Sequence, residues 1–382
     1  MGFPVSDRGS LGVGIVGLSA SGGWAASAHV PAISRLPGYE LRGLASSSAA
    51  TAKAAGDKFG VAHVFDDVHE LAECEEVDLI VVTVKVPEHR DLVMAALDAG
   101  KAVLCEWPLG NGLGETEQLA DAACSRGLPG FVGLQARSAP MIRYMRDLVA
   151  DGFVGEVLST SVIGSGGSWG ASVDARNAYT LDRGNGATML TIPFGHTVDA
   201  LTLVLGEFAD LAVTTAIRRP QVTNGDSGTT LPMTAEDQIV VTGALESGAV
   251  ASVHFRGGMS AGTNLLWEIN GTAGDLVLTG NSGHLQLADV ELRGSRSGEP
   301  LAAMTPPRRY ELVPSDQFGD APRAYNVANA YAQIRDDLLT GTAVAPTFEH
   351  AVRRHRLLDR IQVKTLGVNS VGTRVQVDEV GR

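Results

Sequence analysis

The first chemistry legible in this chain is anion binding at a glycine- and serine-rich loop. An apolar run, residues 12–18, leads into Gly17-Leu18-Ser19-Ala20-Ser21-Gly22-Gly23-Trp24, and a helical pattern follows over residues 25–36. A dinucleotide's diphosphate needs a tight turn off a strand, backbone that can be approached closely, and free amides at a helix start. Gly17 supplies the turn, and Leu18, Ser19, Ala20, Ser21, Gly22 and Trp24 fall in the cradle. Ser19 stands where the dinucleotide fingerprint has its second glycine, and the loop is several residues longer than the minimal form. Read alone, the same residues also describe an ordinary strand-to-helix loop, so their context has to decide. A second run, residues 39–45, ends in Ser46-Ser47-Ser48, where the adenosine ribose is read. An acid there would accept from the 2′-hydroxyl and select NAD. The run holds none, and Arg42 and Lys53 lie nearby. Ser46 and Ser47 therefore lean towards NADP, with NAD left open.

The context is a repeated strand–helix alternation. Strand signals at residues 12–18, 39–45, 62–65, 77–84, 102–106 and 130–134 are separated by helical patterns at 25–36, 49–59, 88–99 and 114–125. Short links of this kind predict a parallel sheet with helices on both faces. The uninterrupted β-branched stretch Val77-Asp78-Leu79-Ile80-Val81-Val82-Thr83-Val84 suits a strand covered on both sides. Beyond about residue 150 the texture changes. Strand-like segments at 159–164, 211–217, 237–245, 249–256, 265–271, 275–279 and 284–287 are joined by turn pairs, with helical patterns at 141–150, 188–205, 323–339 and 348–366. Residues 292–320 read as a long loop. The expected fold is an α/β Rossmann domain over residues 1–136, then an α+β domain over 137–370 with a mostly antiparallel sheet, and a tail at 371–382. A sheet whose helices cover one face leaves the other to be buried against a copy, so a homodimer or homotetramer is expected.

Composition narrows the function classes. The chain is 44% hydrophobic and 19% charged, with a net charge of −13. The acidic balance opposes nucleic-acid backbones and anionic lipid. The densest basic stretch, Arg353-Arg354-His355-Arg356, lies in a helical pattern beside Glu349 and Asp359 and reads as a solvated face. No apolar run is long enough to span a bilayer, and residues 1–10 read as a frayed terminus of a cytoplasmic protein. Cys74, Cys105 and Cys124 contain no CxxC pair, which points to reduced thiols with no metal site.

At Val103-Leu104-Cys105-Glu106-Trp107-Pro108-Leu109 the chain resembles the glucose–fructose oxidoreductase/inositol dehydrogenase (Gfo/Idh/MocA) family, which carries Glu-Lys-Pro at this strand end. The preceding Ala96–Lys101 passage, Phe131-Val132-Gly133-Leu134-Gln135-Ala136-Arg137, Gly195-His196 through Asp199, and residues 348–361 resemble the family in order and spacing. A closer resemblance is to one branch, that of the fungal galactose-pathway repressor. That branch shares Val16-Gly17-Leu18, the lengthened loop, Val84-Lys85-Val86-Pro87-Glu88-His89, Glu106-Trp107 and Phe194-Gly195-His196-Thr197. The resemblance implies a nicotinamide dinucleotide held by the first loop and by Val84, Lys85, Pro87, His89, Glu106, Trp107, Pro108, Gln135 and Arg137. Glu106 and Pro108 would shape the nicotinamide pocket, with a cis bond before Pro108.

The departures bear on catalysis. In catalytic relatives the lysine after the glutamate moves the proton of the reacting oxygen. Here Trp107 replaces it, and an indole does not titrate usefully. The family's acid four residues before the helix histidine is also absent, since Ile192 stands there. His196 is then the first proton-carrying candidate. Lys85 is the second, where burial beside a cofactor would lower its pKa. Tyr179 is the third. Two functions follow: an NAD(P)-dependent oxidoreductase acting on a sugar, polyol or related hydroxylated small molecule, or a catalytically silent dinucleotide-binding regulator.

Overall fold

The computed structural model describes residues 9–296 and 298–370. The expected tail at 371–382 and most of the expected frayed terminus lie outside the described residues. The first sheet consists of β1 (Leu11–Val16), β2 (Tyr39–Ala45), β3 (His63–Phe65), β4 (Leu79–Val82), β5 (Ala102–Glu106) and β6 (Gly130–Gly133), in the order β3-β2-β1-β4-β5-β6. Every pairing is parallel. This is the Rossmann order, with the reversal between β1 and β4 that opens a ligand crevice at the strands' carboxyl ends. All residues of β1 and β4 are buried, as strands covered on both faces require.

The helices of this half are α1 (Val30–Arg35), α2 (Ala49–Phe59), α3 (Val68–Glu73), α4 (His89–Asp98) and α5 (Leu113–Arg126). Ser48 caps α2 by accepting Thr51 N–H at 3.3 Å, and Asp67 caps α3 by accepting His69 N–H at 2.8 Å. α3 is too short and polar to stand out in the sequence; its acidic cap is its only strong signal.

The second half begins with α6 (Pro140–Ala150). Its main sheet contains β7 (Val157–Ser165), β9 (Phe208–Ala216), β12 (Gln238–Leu245), β13 (Val250–Arg256), β14 (Leu265–Gly271), β15 (Gly274–Gly280), β16 (Val290–Arg296) and β17 (Ala302–Met304), in the order β17-β16-β15-β14-β7-β13-β12-β9. Its pairings are antiparallel except β13 with β7. A small sheet of β8 (Ser172–Val173), β10 (Gln221–Asn224) and β11 (Thr230–Pro232) lies outside it. Residues 292–320, expected as a loop, contain most of β16 and all of β17. Residues 284–287, expected as a strand, form a turn closed by Leu287 N–H to the His284 carbonyl at 2.8 Å.

Side chains of the main sheet alternate between two environments. Leu265, Trp267 and Ile269 of β14 are buried, while Leu266, Glu268 and Asn270 face the other way. The buried face meets α7 (Gly195–Leu205) and α9 (Phe348–Ser370); the other carries Ser161, Ile163, Ser252, His254, Glu268 and Val277, a mixed surface. Helix α8 (Pro322–Thr340) crosses back to the first half. Its Val327, Ala328, Tyr331 and Ile334 share a core with Val13, Ile15, Val81 and Leu104. The two halves are thereby tied by chain that belongs to both.

Candidate functional site

Gly17 ends β1 with φ 95°, its N–H donating to the Ala45 carbonyl at 3.0 Å. A Cβ there would lie 2.8 Å from Val84 Cγ1 and 3.1 Å from Thr83 Oγ1. Only glycine allows both this turn and the close approach of the end of β4. Beyond it, the Ser21 N–H donates to Ser19 Oγ at 3.2 Å, and Gly22 and Gly23 again take positive φ. The helix starts with a π-type turn over Ala25–His29, because Pro31 lacks the N–H that a regular helix would use. Lys58 donates to the Ala20 carbonyl at 2.7 Å.

The sequence did not point to Arg176. This arginine from the second half reaches across the crevice, its Nη2 3.5 Å from Ser21 Oγ. A Cβ on Gly23 would lie 2.6 Å from its Nη1, so Gly23 makes room for the guanidinium. Between the loop and the second half lies a cleft of about 840 Å³ lined by Ser21, Trp24, Ser168, Asn177, His284 and Arg323, among others. His284 has no signal in the sequence either, since it sits in the turn whose residues carry a strand pattern.

At the ribose position, the Ser46 hydroxyl donates to Thr51 Oγ1 at 2.9 Å, and Ser47 is exposed. The two nearby cations are committed elsewhere. Arg42 pairs with Glu40 and Glu76, and Lys53 with Asp57 at 2.7 Å.

At the end of β4, Pro87 and Lys85 are exposed. The burial expected to tune Lys85 is therefore absent, because the chain turns outward before a short 3₁₀ turn. Its ammonium instead lies 4.9 Å above the Tyr179 ring. Burial pushes the Tyr179 phenol above its usual range. Two of the three proton candidates, 94 positions apart in the chain, are thus brought together.

His89 is a correction. It is fully buried, with Nδ1 2.9 Å from the Pro108 carbonyl and 3.3 Å from Cys105 Sγ, and Nε2 3.1 Å from the Val84 carbonyl. It stitches the ends of β4 and β5 together and has no nitrogen left for a cofactor. Arg137 is partly engaged within the second half. Its guanidinium is 3.3 Å from Asp199 Oδ1, which also takes His350 Nε2 at 2.6 Å and lies 3.3 Å from Arg354 Nε. Burial alone would raise the Asp199 carboxyl, but Arg137, His350 and Arg354 hold it well below the usual carboxylate range. Arg137 is therefore a latch on α7.

The bond between Trp107 and Pro108 is cis. Trp107 is buried, donating Nε1–H to the Thr191 carbonyl at 2.6 Å and lying 4.7 Å from the His355 ring. Gly195 permits this, since a Cβ there would be 2.9 Å from Nε1. The indole wedges the two halves together. Glu106 accepts from Gln135 Nε2 at 2.9 Å and from His29 Nε2 at 3.0 Å, and His29 Nδ1 is 2.8 Å from the Tyr331 hydroxyl. A carboxylate only accepts, so His29 carries its hydrogen on Nε2 and takes the Tyr331 hydrogen on Nδ1. In this string, supplied partly by α8, Glu106 and Gln135 have a sequence signal and His29 and Tyr331 have none.

His196 follows a second π-type turn, Leu190–Phe194. Pro193 has no N–H for the Met189 carbonyl, which takes Phe194 N–H at 3.1 Å instead. Burial pushes the His196 imidazole down to about 3, partly offset by Asp199. Burial thus disfavours its protonated form, so the imidazole suits accepting a proton better than giving one. Its Nδ1, Trp24 Nε1 and Gln135 Oε1 are buried without a hydrogen-bond partner among the described residues. Trp24 lies in the glycine loop, where its open Nε1 beside free backbone fits a dinucleotide whose polar groups complete it.

These buried histidines make acid sensitivity an expected outcome. Burial lowers His89, His196 and His284, and takes His355 down to about 4. In the unfolded chain each takes a proton near pH 6.5, so the unfolded state binds more protons below that value. Stability should fall as pH drops from about 6.5, and Asp199 adds to the loss only below the ordinary carboxylate range. Thermal melts between pH 8 and pH 5 check this; a flat melting temperature contradicts it. Among the described residues no helix is long and apolar enough to cross a membrane, and no group of three metal-ligating side chains occurs.

Residues 11–134 match the oxidoreductase family with an NAD-binding Rossmann fold, and residues 140–280 match the C-terminal domain of Gal80p. The galactose/lactose metabolism regulatory protein GAL80 of Saccharomyces cerevisiae is 30% identical over 321 residues, covering 78% of this chain and 74% of that protein. The chain belongs to the Gfo/Idh/MocA family, near its Gal80 branch. Dehydrogenase aclE of Aspergillus oryzae is 33% identical over 282 residues, covering 71% of this family member and 77% of the relative. The crystal structure of a super-repressor mutant of S. cerevisiae Gal80p superposes with a TM-score of 0.84 at 26% identity, covering 94% of this chain and 96% of the other. The Gfo/Idh/MocA assignment accounts for the Rossmann order and the eight-stranded sheet together.

Proposed function

We propose that this chain is a nicotinamide-dependent oxidoreductase acting on a sugar-like hydroxylated small molecule, with its proton handled by Lys85 and Tyr179. The observation that carries this is the Lys85–Tyr179 contact at the carboxyl end of β4, beside Gly17. When bound, the dinucleotide supplies the hydride acceptor or donor. Gly17 and the loop amides hold its diphosphate, and Glu106 and Gln135 border the nicotinamide end. Burial keeps the Tyr179 phenol protonated at neutral pH, so in the reducing direction it gives its hydrogen to the substrate oxygen. The Lys85 ammonium stabilises the phenolate left behind. The proton function has moved from position 107 to the crevice's other wall.

For the cofactor, the lean to NADP now rests on hydroxyls alone, because Arg42 and Lys53 are held by carboxylates. The reading shifts to NAD(H). Arg176 is expected to pair with the diphosphate. Arg176→Ala should weaken NADH binding by about 10–100-fold, in line with the ~1.5–3 kcal/mol of a hydrogen bond to a charged group. Calorimetry with the folded variant measures it, and an unchanged affinity removes Arg176 from the site.

A second reading is favoured by Trp107, whose indole fills the place of the ammonium and is bonded to Thr191. It is a dinucleotide-binding regulator without turnover. Purifying the protein, identifying its co-purified cofactor and screening sugars and polyols by nicotinamide absorbance decides between the two. Turnover supports the enzyme, and its absence with a bound, reducible cofactor supports the regulator. Self-association through the exposed sheet face is also proposed, as a homodimer or homotetramer. The mixed polar and apolar character of that face suits a moderate interface, and a monomer mass by light scattering at micromolar concentration contradicts it.

A further inference from the structure

The cleft between the glycine loop and the second half has an unusual charge balance. The chain contains 43 acidic and 30 basic residues, yet none of the residues lining the cleft is acidic and two are arginines. Beyond Ser21 and Ser27 at the loop, its polar wall consists of Ser168, Asn177, Ser282 and His284, groups that hydrogen-bond hydroxyls. Two guanidiniums face one hollow, and no carboxylate lines it to balance them.

The two arginines lie at different ends. Arg176 packs on Gly23 beside Ser21, at the end where the dinucleotide's diphosphate is held. Arg323 opens α8 and also lines an adjoining hollow of about 570 Å³ walled by Met141, Leu287, Phe318 and Tyr325. It is exposed and forms no ion pair among the described residues; Asp289 and Glu311 border that adjoining hollow but not the cleft. The diphosphate can satisfy Arg176, and Arg323 stays available to another anion that enters the cleft.

We propose that Arg323 binds the anionic group of the substrate, and that the substrate class is a polyol carrying an acid: a sugar carboxylate or a sugar phosphate. The hydroxyls lie along Ser168, Asn177, Ser282 and His284, and the acid end pairs with the guanidinium. A planar fork matches either anion with two parallel hydrogen bonds. This rests on the oxidoreductase reading above, and it narrows that reading from hydroxylated molecules in general to anionic ones.

The test is equilibrium binding to the full chain saturated with NADH, at low salt. The probes are gluconate, glucuronate and galacturonate, glucose 6-phosphate and galactose 1-phosphate, and neutral glucose and galactose. The expected result is at least tenfold tighter binding of one of the anions than of its neutral counterpart, weakened by added salt. The carboxylate and phosphate arms show which acid is used. Arg323→Gln should erase the preference while NADH affinity stays the same, and Arg323→Lys should restore part of it. Neutral sugars binding as tightly as the anions, a preference that survives Arg323→Gln, or no binding by any probe overturns the proposal. If the wild type fails to bind NADH at all, the oxidoreductase reading itself falls, which is distinguishable because cofactor binding is measured first.

Discussion

Gly17→Val abolishes nicotinamide dinucleotide binding, with an expected loss of at least 100-fold in affinity. Three effects act in the same direction. The backbone at residue 17 has φ 95°, where a β-branched residue is strained. The new Cβ would sit 2.8 Å from Val84 Cγ1 and 3.3 Å from Val84 N, so either β4 or the loop must move. The branched side chain also stands over the backbone that a diphosphate has to approach. Val84 leads directly to Lys85, so the same displacement carries the proposed proton pair away. Calorimetric titration with NADH measures the loss, and circular dichroism with a thermal melt separates it from unfolding. Unchanged affinity in a folded variant places the cofactor elsewhere.

Tyr179→Phe should lower turnover by about 10²–10⁴-fold, the usual worth of general acid–base catalysis, with NADH affinity nearly unchanged. The substitution keeps the ring beneath Lys85 and removes only the hydroxyl, so packing is conserved. Lys85→Met tests the partner: it keeps a long side chain over the ring but removes the cation. Its effect should be larger at low pH values of the rate profile's basic limb than at high ones, because the ammonium assists the phenol's loss of its proton. His196→Ala, in contrast, should leave the shape of the pH profile intact, since burial keeps that imidazole neutral down to about 3. A His196→Ala variant that loses the pH dependence while Tyr179→Phe retains full rate reverses the assignment.

Much of this protein is legible in the order of its residues. The β-branched run before Lys85, the glycine-rich turn after β1 and the regular strand–helix spacing determine a Rossmann half. Each depends on local patterns, burial on both strand faces and the backbone freedom of glycine, that show along the chain. The order of motifs through Glu106-Trp107-Pro108 likewise determines the family.

What the chain order could not show is which side chains meet. His89 and Arg137 fall within family motifs, yet the first is consumed by carbonyls at two strand ends and the second is partly engaged by Asp199. Lys85 meets Tyr179, His29 meets Glu106 and Tyr331, and Arg176 meets the glycine loop, at separations of 77 to 302 positions for the two His29 contacts alone. The turn holding His284 has apolar neighbours at strand-like spacing, and only the closure of β15 onto β16 forces it to bend into the cleft. The acidity of the whole chain was plain from composition, but a cleft that excludes carboxylates and holds two guanidiniums exists only once the second half folds against the first. Electrostatic environment depends on distance through space and on burial, and neither is a property of position along the chain.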